Sequence, residues 1–288
     1  MKSALEMIKA ELKLCDIIIY MLDARCPQSC INPKYEEFLY RKPVLFVLNK
    51  SDLAPNSQVS IFASKIKQTS EPLDKGKDSP SWEGVAVRRT DGVGSPHIIT
   101  LNSTQSGTGQ KVINAINEVL KEKIAASAQK GIKRTIRAIV IGVTNCGKST
   151  FINNLAARGK AMTGDRPGVT RTKQWVPVNQ HLWLLDTPGT LWPKFDNPQV
   201  AKNLAYVGSI KDDIMDTISL SKDLMTDLIR LDPDCIKNRF GADEFEEICR
   251  KRGYILKGGI LDEERAAKAI LVEYRAGKLG RFNLDELL

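Results

Sequence analysis

The run Gly142-Val143-Thr144-Asn145-Cys146-Gly147-Lys148-Ser149 fits the spacing G-x-x-x-x-G-K-[ST], whose chemistry is phosphate binding. Gly142 and Gly147 permit a tight backbone path. Successive N–H groups and a helix N-terminus then face phosphate oxygens. Lys148 would reach the β- and γ-phosphates and the Ser149 hydroxyl would bind Mg²⁺. Thr144, Asn145, Cys146, Gly147, Lys148, Ser149 and Thr150 are therefore assigned to a nucleotide. The competing reading is a plain glycine turn. The apolar run Ile136 to Ile141 before it and the helix-like Thr150 to Ala157 after it supply the strand–loop–helix setting that the motif needs.

A second group of residues can read a base. Asn49-Lys50-Ser51-Asp52 has the N-K-x-D spacing that selects guanine. The Asp52 carboxylate can accept from both the ring N–H and the exocyclic amine of guanine. Adenine lacks that donor pair and would leave a buried Asp52 unpaired. Asn49 would tie this loop to the phosphate loop, and the Lys50 stem would cover the base. Alone, N-K-S-D also makes a turn and helix cap. Asn102-Ser103-Thr104 resembles a loop whose backbone N–H meets the guanine carbonyl, with Thr104 where alanine is usual. Thr170, after Pro167-Gly168, is the candidate switch threonine for Mg²⁺ and the γ-phosphate. Asp186-Thr187-Pro188-Gly189 fits D-x-x-G: Asp186 would hold Mg²⁺ through water, and the Gly189 N–H would sense the γ-phosphate.

These residues need strands to carry them. Asp16 to Leu22, Val44 to Leu48, His97 to Leu101, Ile136 to Ile141, Gln174 to Val178 and His181 to Leu185 read as strands. Helices are expected over Ala4 to Leu14, Pro33 to Tyr40 (with Asn32 as its cap), Pro55 to Lys67 and Lys111 to Ala128. Glu71 to Pro96 reads as a mobile polar insertion. Helices over Lys211 to Leu231, Ala242 to Arg252 and Glu263 to Ala276 follow, and the four tryptophans read as packing residues.

A chain of 288 residues has room for two domains. It shows no apolar run of membrane-span length and no signal-peptide core. Six scattered cysteines without a C-x-x-C pair, and two histidines, argue against a metal cluster and suit a reducing cytoplasm. The net charge is +9, with 12 basic and 2 acidic residues between Lys121 and Trp175. Such a field suits a nucleic acid, or serves only as a solvated surface. Arg250 to Arg281 is basic again.

The motif order is rotated: base-reading Asn49-Asp52 and Ser103 precede phosphate-reading Lys148, Thr170 and Asp186. This resembles the circularly permuted GTPases, and among them the ribosome biogenesis GTPase A (YlqF) family. Asp23-Ala24-Arg25, Gly164 to Thr170, Leu191-Trp192-Pro193-Lys194, Gly258-Gly259 and Arg275-Ala276-Gly277-Lys278-Leu279-Gly280-Arg281 carry the resemblance. It implies an α/β fold: a circularly permuted Ras-like P-loop GTPase domain over residues 1–196, then a smaller all-helical, rRNA-binding domain over 197–288. It also implies a GTPase acting late in large ribosomal subunit assembly, slow alone and stimulated by the subunit, with Lys148, Thr170 and Gly189 catalytic. GTP or GDP and Mg²⁺ are the implied ligands, with K⁺ held by Asn145. The large ribosomal subunit, its rRNA and neighbouring ribosomal proteins are the implied partners, with no membrane and no oligomer required. Lys257, Arg275, Lys278 and Arg281 are the candidate RNA contacts. Switch II would run directly into the tail and reorient it. A GTP-dependent docking switch with negligible hydrolysis, or a small-subunit factor, are the alternatives. Thr190 stands where Ras-type proteins place a water-orienting glutamine. The histidine that relatives use would precede Met1, and the insertion inherits no family role.

Overall fold

The computed structural model describes residues 4–39, 41–68, 97–105, 107–160 and 175–288. Six strands form one sheet: β1 (Ile17–Asp23), β2 (Val44–Asn49), β3 (His97–Leu101), β4 (Ile136–Ile141), β5 (Trp175–Asn179) and β6 (Leu182–Asp186). Their order is β3-β2-β1-β4-β6-β5. All neighbours are parallel except the hairpin pair β5 and β6. Every residue of β1 and β2 is buried, as expected for central parallel strands covered by helices on both faces. Pro177 sits in β5, the edge strand, beside a register shift, where its missing N–H is tolerated.

Counted from β4 as the first strand, the sheet order becomes 6-5-4-1-3-2, doubly wound about the strand that carries the phosphate loop. The order reverses between β1 and β4, and ligands in such sheets bind outside the strands' carboxyl ends at that reversal. Asp23, Asn49, Asn102, Gly142 and Asp186 all fall at those ends.

The helices are α1 (Ala4–Leu12), α2 (Glu36–Leu39), α3 (Gln58–Gln68), α4 (Thr108–Val119), α5 (Lys121–Gln129), α6 (Lys148–Lys160), α7 (Pro198–Tyr206), α8 (Thr217–Leu231), α9 (Cys235–Phe240), α10 (Phe245–Lys251) and α11 (Glu263–Arg275). Several differ from the sequence reading. The helix expected from Lys111 to Ala128 is broken at buried Leu120. The one expected from Lys211 starts later, because Asp216 caps α8 by accepting from the Ile218 and Ser219 N–H groups. Helices α7 and α9 were not anticipated. The first has an Asn197 cap and Pro198 at its first position, the same signature as Asn32-Pro33. The expected insertion at 71–96 lies outside the described residues, as does Trp82. Trp183 is 40% exposed, so it is not the packing residue expected.

One apolar cluster runs from the sheet into α7, α8 and α11. Polar contacts also cross between the two halves of the chain. The Leu284 N–H donates to the Arg25 carbonyl. The buried Asp285 carboxylate accepts from the Gln28 and Ser29 N–H groups and the Ser29 hydroxyl. Asn203 Nδ2, fully buried, donates to Ser29 Oγ and to the Leu284 carbonyl. Among the described residues, no helix is long and apolar enough to cross a membrane.

Candidate nucleotide site

The base side is assembled around Asn49, the last residue of β2. Its Nδ2 donates to the Cys146 carbonyl at 2.8 Å, and its Oδ1 accepts from the Ser103 N–H at 3.0 Å and the Ser103 hydroxyl at 2.8 Å. One buried amide thus ties three loops together. Gly147 has to be glycine, because a Cβ there would lie 2.2 Å from Asn49 Nδ2. Asn154 Nδ2 on α6 holds the Ser103 carbonyl from behind.

Lys50 and Asn145 are the non-glycine residues with left-handed backbones among those described, at φ 56° and 55°. Such strain persists only where the surroundings enforce it. Here Lys50 Nζ donates to the Asn145 carbonyl at 2.9 Å and lies 3.0 Å from the Asp23 carboxylate. Asp23 in turn takes a two-pronged bond from Arg25, at 2.9 and 2.8 Å. Burial alone would raise the Asp23 carboxyl; Arg25 and Lys50 overcome it and hold the group below its ordinary value. The guanidinium of Arg25, buried with it, sits 5.4 Å from the Tyr274 ring centre on α11. The Asp23-Ala24-Arg25 run therefore has a physical task, anchoring Lys50, which spacing did not reveal.

Asp52 is exposed, against the expectation that it is buried. Its discrimination therefore requires the arriving base to desolvate it. Asn102 Oδ1 accepts from the Thr104 N–H and hydroxyl, at 2.9 and 2.6 Å, so this turn is closed by its own side chains.

On the phosphate side, Lys148 opens α6 and is buried. Its Nζ donates to the Gly142 and Val143 carbonyls at 3.1 and 2.6 Å. Cys146 is buried, and burial pushes its thiol up to about 11; its carbonyl accepts from Asn49 and its sulfur lies 3.9 Å from Lys148 Nζ. Thr150 is exposed on the first turn of α6. Gly189 presses on the loop: a Cβ there would lie 2.7 Å from Thr144 Cα and 2.9 Å from Lys148 Nζ. This position requires glycine and brings the D-x-x-G backbone to the loop's mouth.

Ser149 Oγ lies 3.4 Å from Asp186 Oδ2. Asp186 Oδ1 is buried without a hydrogen-bond partner among the described residues. Burial raises the Asp186 carboxyl, against the pull of Lys148, Ser149 and the Thr187 N–H. An orphaned carboxylate oxygen beside a hydroxyl is a donor set for a hard divalent cation, which would hold the group ionised. Thr170 lies outside the described residues.

Thr190 turns away from this site. Its hydroxyl bonds the Tyr35 hydroxyl and accepts from Asn32 Nδ2 at 3.4 Å. It is a buried strut, and only its backbone N–H, donating to the Gly142 carbonyl at 3.3 Å, touches the phosphate loop among the contacts described.

Two contacts were not foreseen. Asn145 Nδ2 donates to the Gly208 carbonyl at 2.7 Å. Thr144 and Ser209 bond reciprocally, hydroxyl to carbonyl in both directions. The tail thus touches the phosphate loop itself, beyond the chain connection through switch II.

The candidate RNA contacts separate into two kinds. The Arg275 fork is occupied by Asp212, at 2.7 and 2.8 Å, and by the Ala205 and Tyr206 carbonyls, which corrects its expected availability. Lys257, Lys278 and Arg281 are exposed and form no ion pair within 4 Å among the described residues, although the charge of Lys278 acts on Glu273. Much of the other positive charge is paired: Arg252 and Arg239 with Glu273, Lys123 and Arg134 with Asp16.

Residues 137–239 match a family model described as 50S ribosome-binding GTPase. Ribosome biogenesis GTPase A of Bacillus cereus is 36% identical, covering 99% of this chain and 91% of that protein. That of Priestia megaterium is 36% identical, covering 99% and 94%. In fold, the chain is similar to GNP-bound YlqF from T. maritima, with a TM-score of 0.62 at 23% identity over 97% of this chain and 96% of that one.

Proposed function

We propose, from the premise that the chain belongs to the ribosome biogenesis GTPase A family and is a GTPase, that it is a nucleotide-controlled factor for late assembly of the large ribosomal subunit in the cytoplasm. The observation that carries this reading is the joining of three parts by hydrogen bonds: the Asn49 loop, the phosphate loop and the Gly208–Ser209 turn of the tail. Asn49, Lys50, Asp52 and the Asn102-Ser103-Thr104 turn select guanine. The backbone from Thr144 to Thr150 cradles the phosphates. Lys148, leaving its loop carbonyls, neutralises charge on the transferred phosphoryl group. Ser149, Thr170 and Asp186 would hold Mg²⁺, which would supply positive charge to the phosphates. The Gly189 N–H and Thr170 respond to the γ-phosphate. Asn145 offers its Oδ1 to K⁺.

Thr190 provides no water-orienting group, so turnover is slow until the partner particle completes the site. Residues 197–288 form the rRNA-binding unit, and Lys257, Lys278 and Arg281 contact phosphates. The test is GTP turnover in K⁺ buffer, alone and with separated ribosomal subunits. Stimulation by large subunits supports the reading. Stimulation by small subunits would move the factor to the other particle, and none by either would leave a docking switch.

A further inference from the structure

The end of α7 is built as a support for the phosphate loop. Tyr206 is fully buried and Ser209 nearly so. The Ser209 N–H donates to the Leu204 carbonyl at 2.7 Å, closing the turn. Arg275 braces it from α11 through the Ala205 and Tyr206 carbonyls, at 2.9 and 3.0 Å, with Asp212 holding the other side of the fork. The turn then presents two acceptors and one donor to the loop: the Gly208 and Ser209 carbonyls and the Ser209 hydroxyl.

A carbonyl can only accept, so Gly208 must face the nitrogen of the Asn145 amide. Oδ1 is then the side-chain atom of Asn145 left for any ligand, and an amide oxygen binds cations rather than phosphates. The reciprocal Thr144–Ser209 pair fixes the peptide just before Asn145. Asn145 is already held in a left-handed backbone by Lys50 on its carbonyl. Its orientation is thus set by three contacts outside its own loop, two of them from the tail.

We propose that Gly208 and Ser209 are positioning residues of the GTP site. By fixing Thr144 and the Asn145 amide they set nucleotide retention and monovalent-cation choice, and through them the helical tail and the phosphate loop sense each other. The cation part rests on the K⁺ reading above; the retention part does not.

The test measures release of a fluorescent GDP and affinity for a non-hydrolysable GTP analogue, in Na⁺ and in K⁺, for the full chain and for Ser209→Ala, Ser209→Thr and Arg275→Lys. Thermal melting checks the fold of each. Loss of one net hydrogen bond corresponds to about a fivefold change. Ser209→Ala is expected to release GDP about fivefold faster in either salt and to lower the K⁺-over-Na⁺ preference for the analogue. Ser209→Thr, which keeps the hydroxyl, is expected to restore both. Arg275→Lys, which never touches the loop, is expected to shift release in the same direction by a smaller factor. Unchanged release in a folded Ser209→Ala protein would overturn the positioning role. Faster release with equal Na⁺ and K⁺ behaviour in the parent would retain that role and remove the cation reading alone.

Discussion

On the base side of the site, Asn49 is bonded to Ser103 and Asp23 to Arg25, all four buried, with Arg25 Nη1 the nitrogen left without a partner among the described residues. On the phosphate side, Lys148 rests on its own loop's carbonyls and Asp186 keeps an oxygen without a partner. The first arrangement is largely bonded before a ligand arrives, apart from Arg25 Nη1 and the exposed Asp52. The second holds groups suited to a phosphate and a cation. On the proposed reading, the frame that meets guanine is built into the scaffold, whereas the response to the γ-phosphate depends on rearrangement. Both regions meet the tail: Arg25 at Leu284 and Tyr274, the phosphate loop at the Gly208–Ser209 turn. The second contact falls on the loop that the proposed reading gives to the phosphates, and so is the one placed to transmit nucleotide state.

Removing a charge from the rigid side should have the largest effect. Asp23→Asn would leave the buried Arg25 and the half-buried Lys50 against a neutral group, and a loss of about 3–5 kcal/mol in denaturant unfolding is expected. Asp23 titrates below its ordinary value in the folded chain. Its contribution is thus fully present above about pH 4, the unfolded carboxyl's value, and is lost as pH falls further. In Asp23→Asn, acid unfolding should accordingly lose that part of its pH dependence.

Lys148→Ala should leave the fold intact and cut GTP turnover about 10²–10³-fold, since its ammonium serves the phosphoryl group and not the core. Asp52→Asn should weaken GTP binding about 100-fold, the scale of two hydrogen bonds to a charged acceptor. It should favour xanthosine triphosphate, whose ring carbonyl the new amide can donate to. A displacement assay with both nucleotides checks this.

Thr190→Gln separates the two regions differently. A glutamine there would meet Tyr35 and Asn32 rather than the phosphate loop. The expected outcome is a loss of about 1–3 kcal/mol from overpacking, with no gain in basal hydrolysis. The smallest effects belong to the surface. Lys257→Glu, Lys278→Glu or Arg281→Glu should each weaken rRNA binding and lower its salt slope by about one. Charge reversal at Arg275 should instead disturb the fold.

The nucleotide motifs were legible because phosphate and guanine impose fixed spacings on a few contiguous residues. Strands β1, β2 and β4 were legible because buried parallel strands are near-continuous apolar runs, and the half-exposed β3 because of its β-branched residues. The unread features share a different origin. The Thr190 hydroxyl is used by Tyr35, 155 residues away, and Arg275 is used by Asp212 and the end of α7. Asn145 is oriented by Gly208. Each depends on a partner that only tertiary packing supplies, so a motif could name the residue without giving its orientation. Helix α7 was missed for a simpler reason: its Asn197-Pro198 cap was present, but followed too soon after switch II to be separated from that loop.

Hydrogen–deuterium exchange of the full chain, bound to GDP and then to a non-hydrolysable GTP analogue, tests the division most directly. The account predicts matching protection at Asn49 to Leu53 and Asn102 to Gln105 in the two states. It predicts different protection in the phosphate loop and in residues 203–210. Equal protection at 203–210 in both states, or differences confined to the base loops, would contradict it.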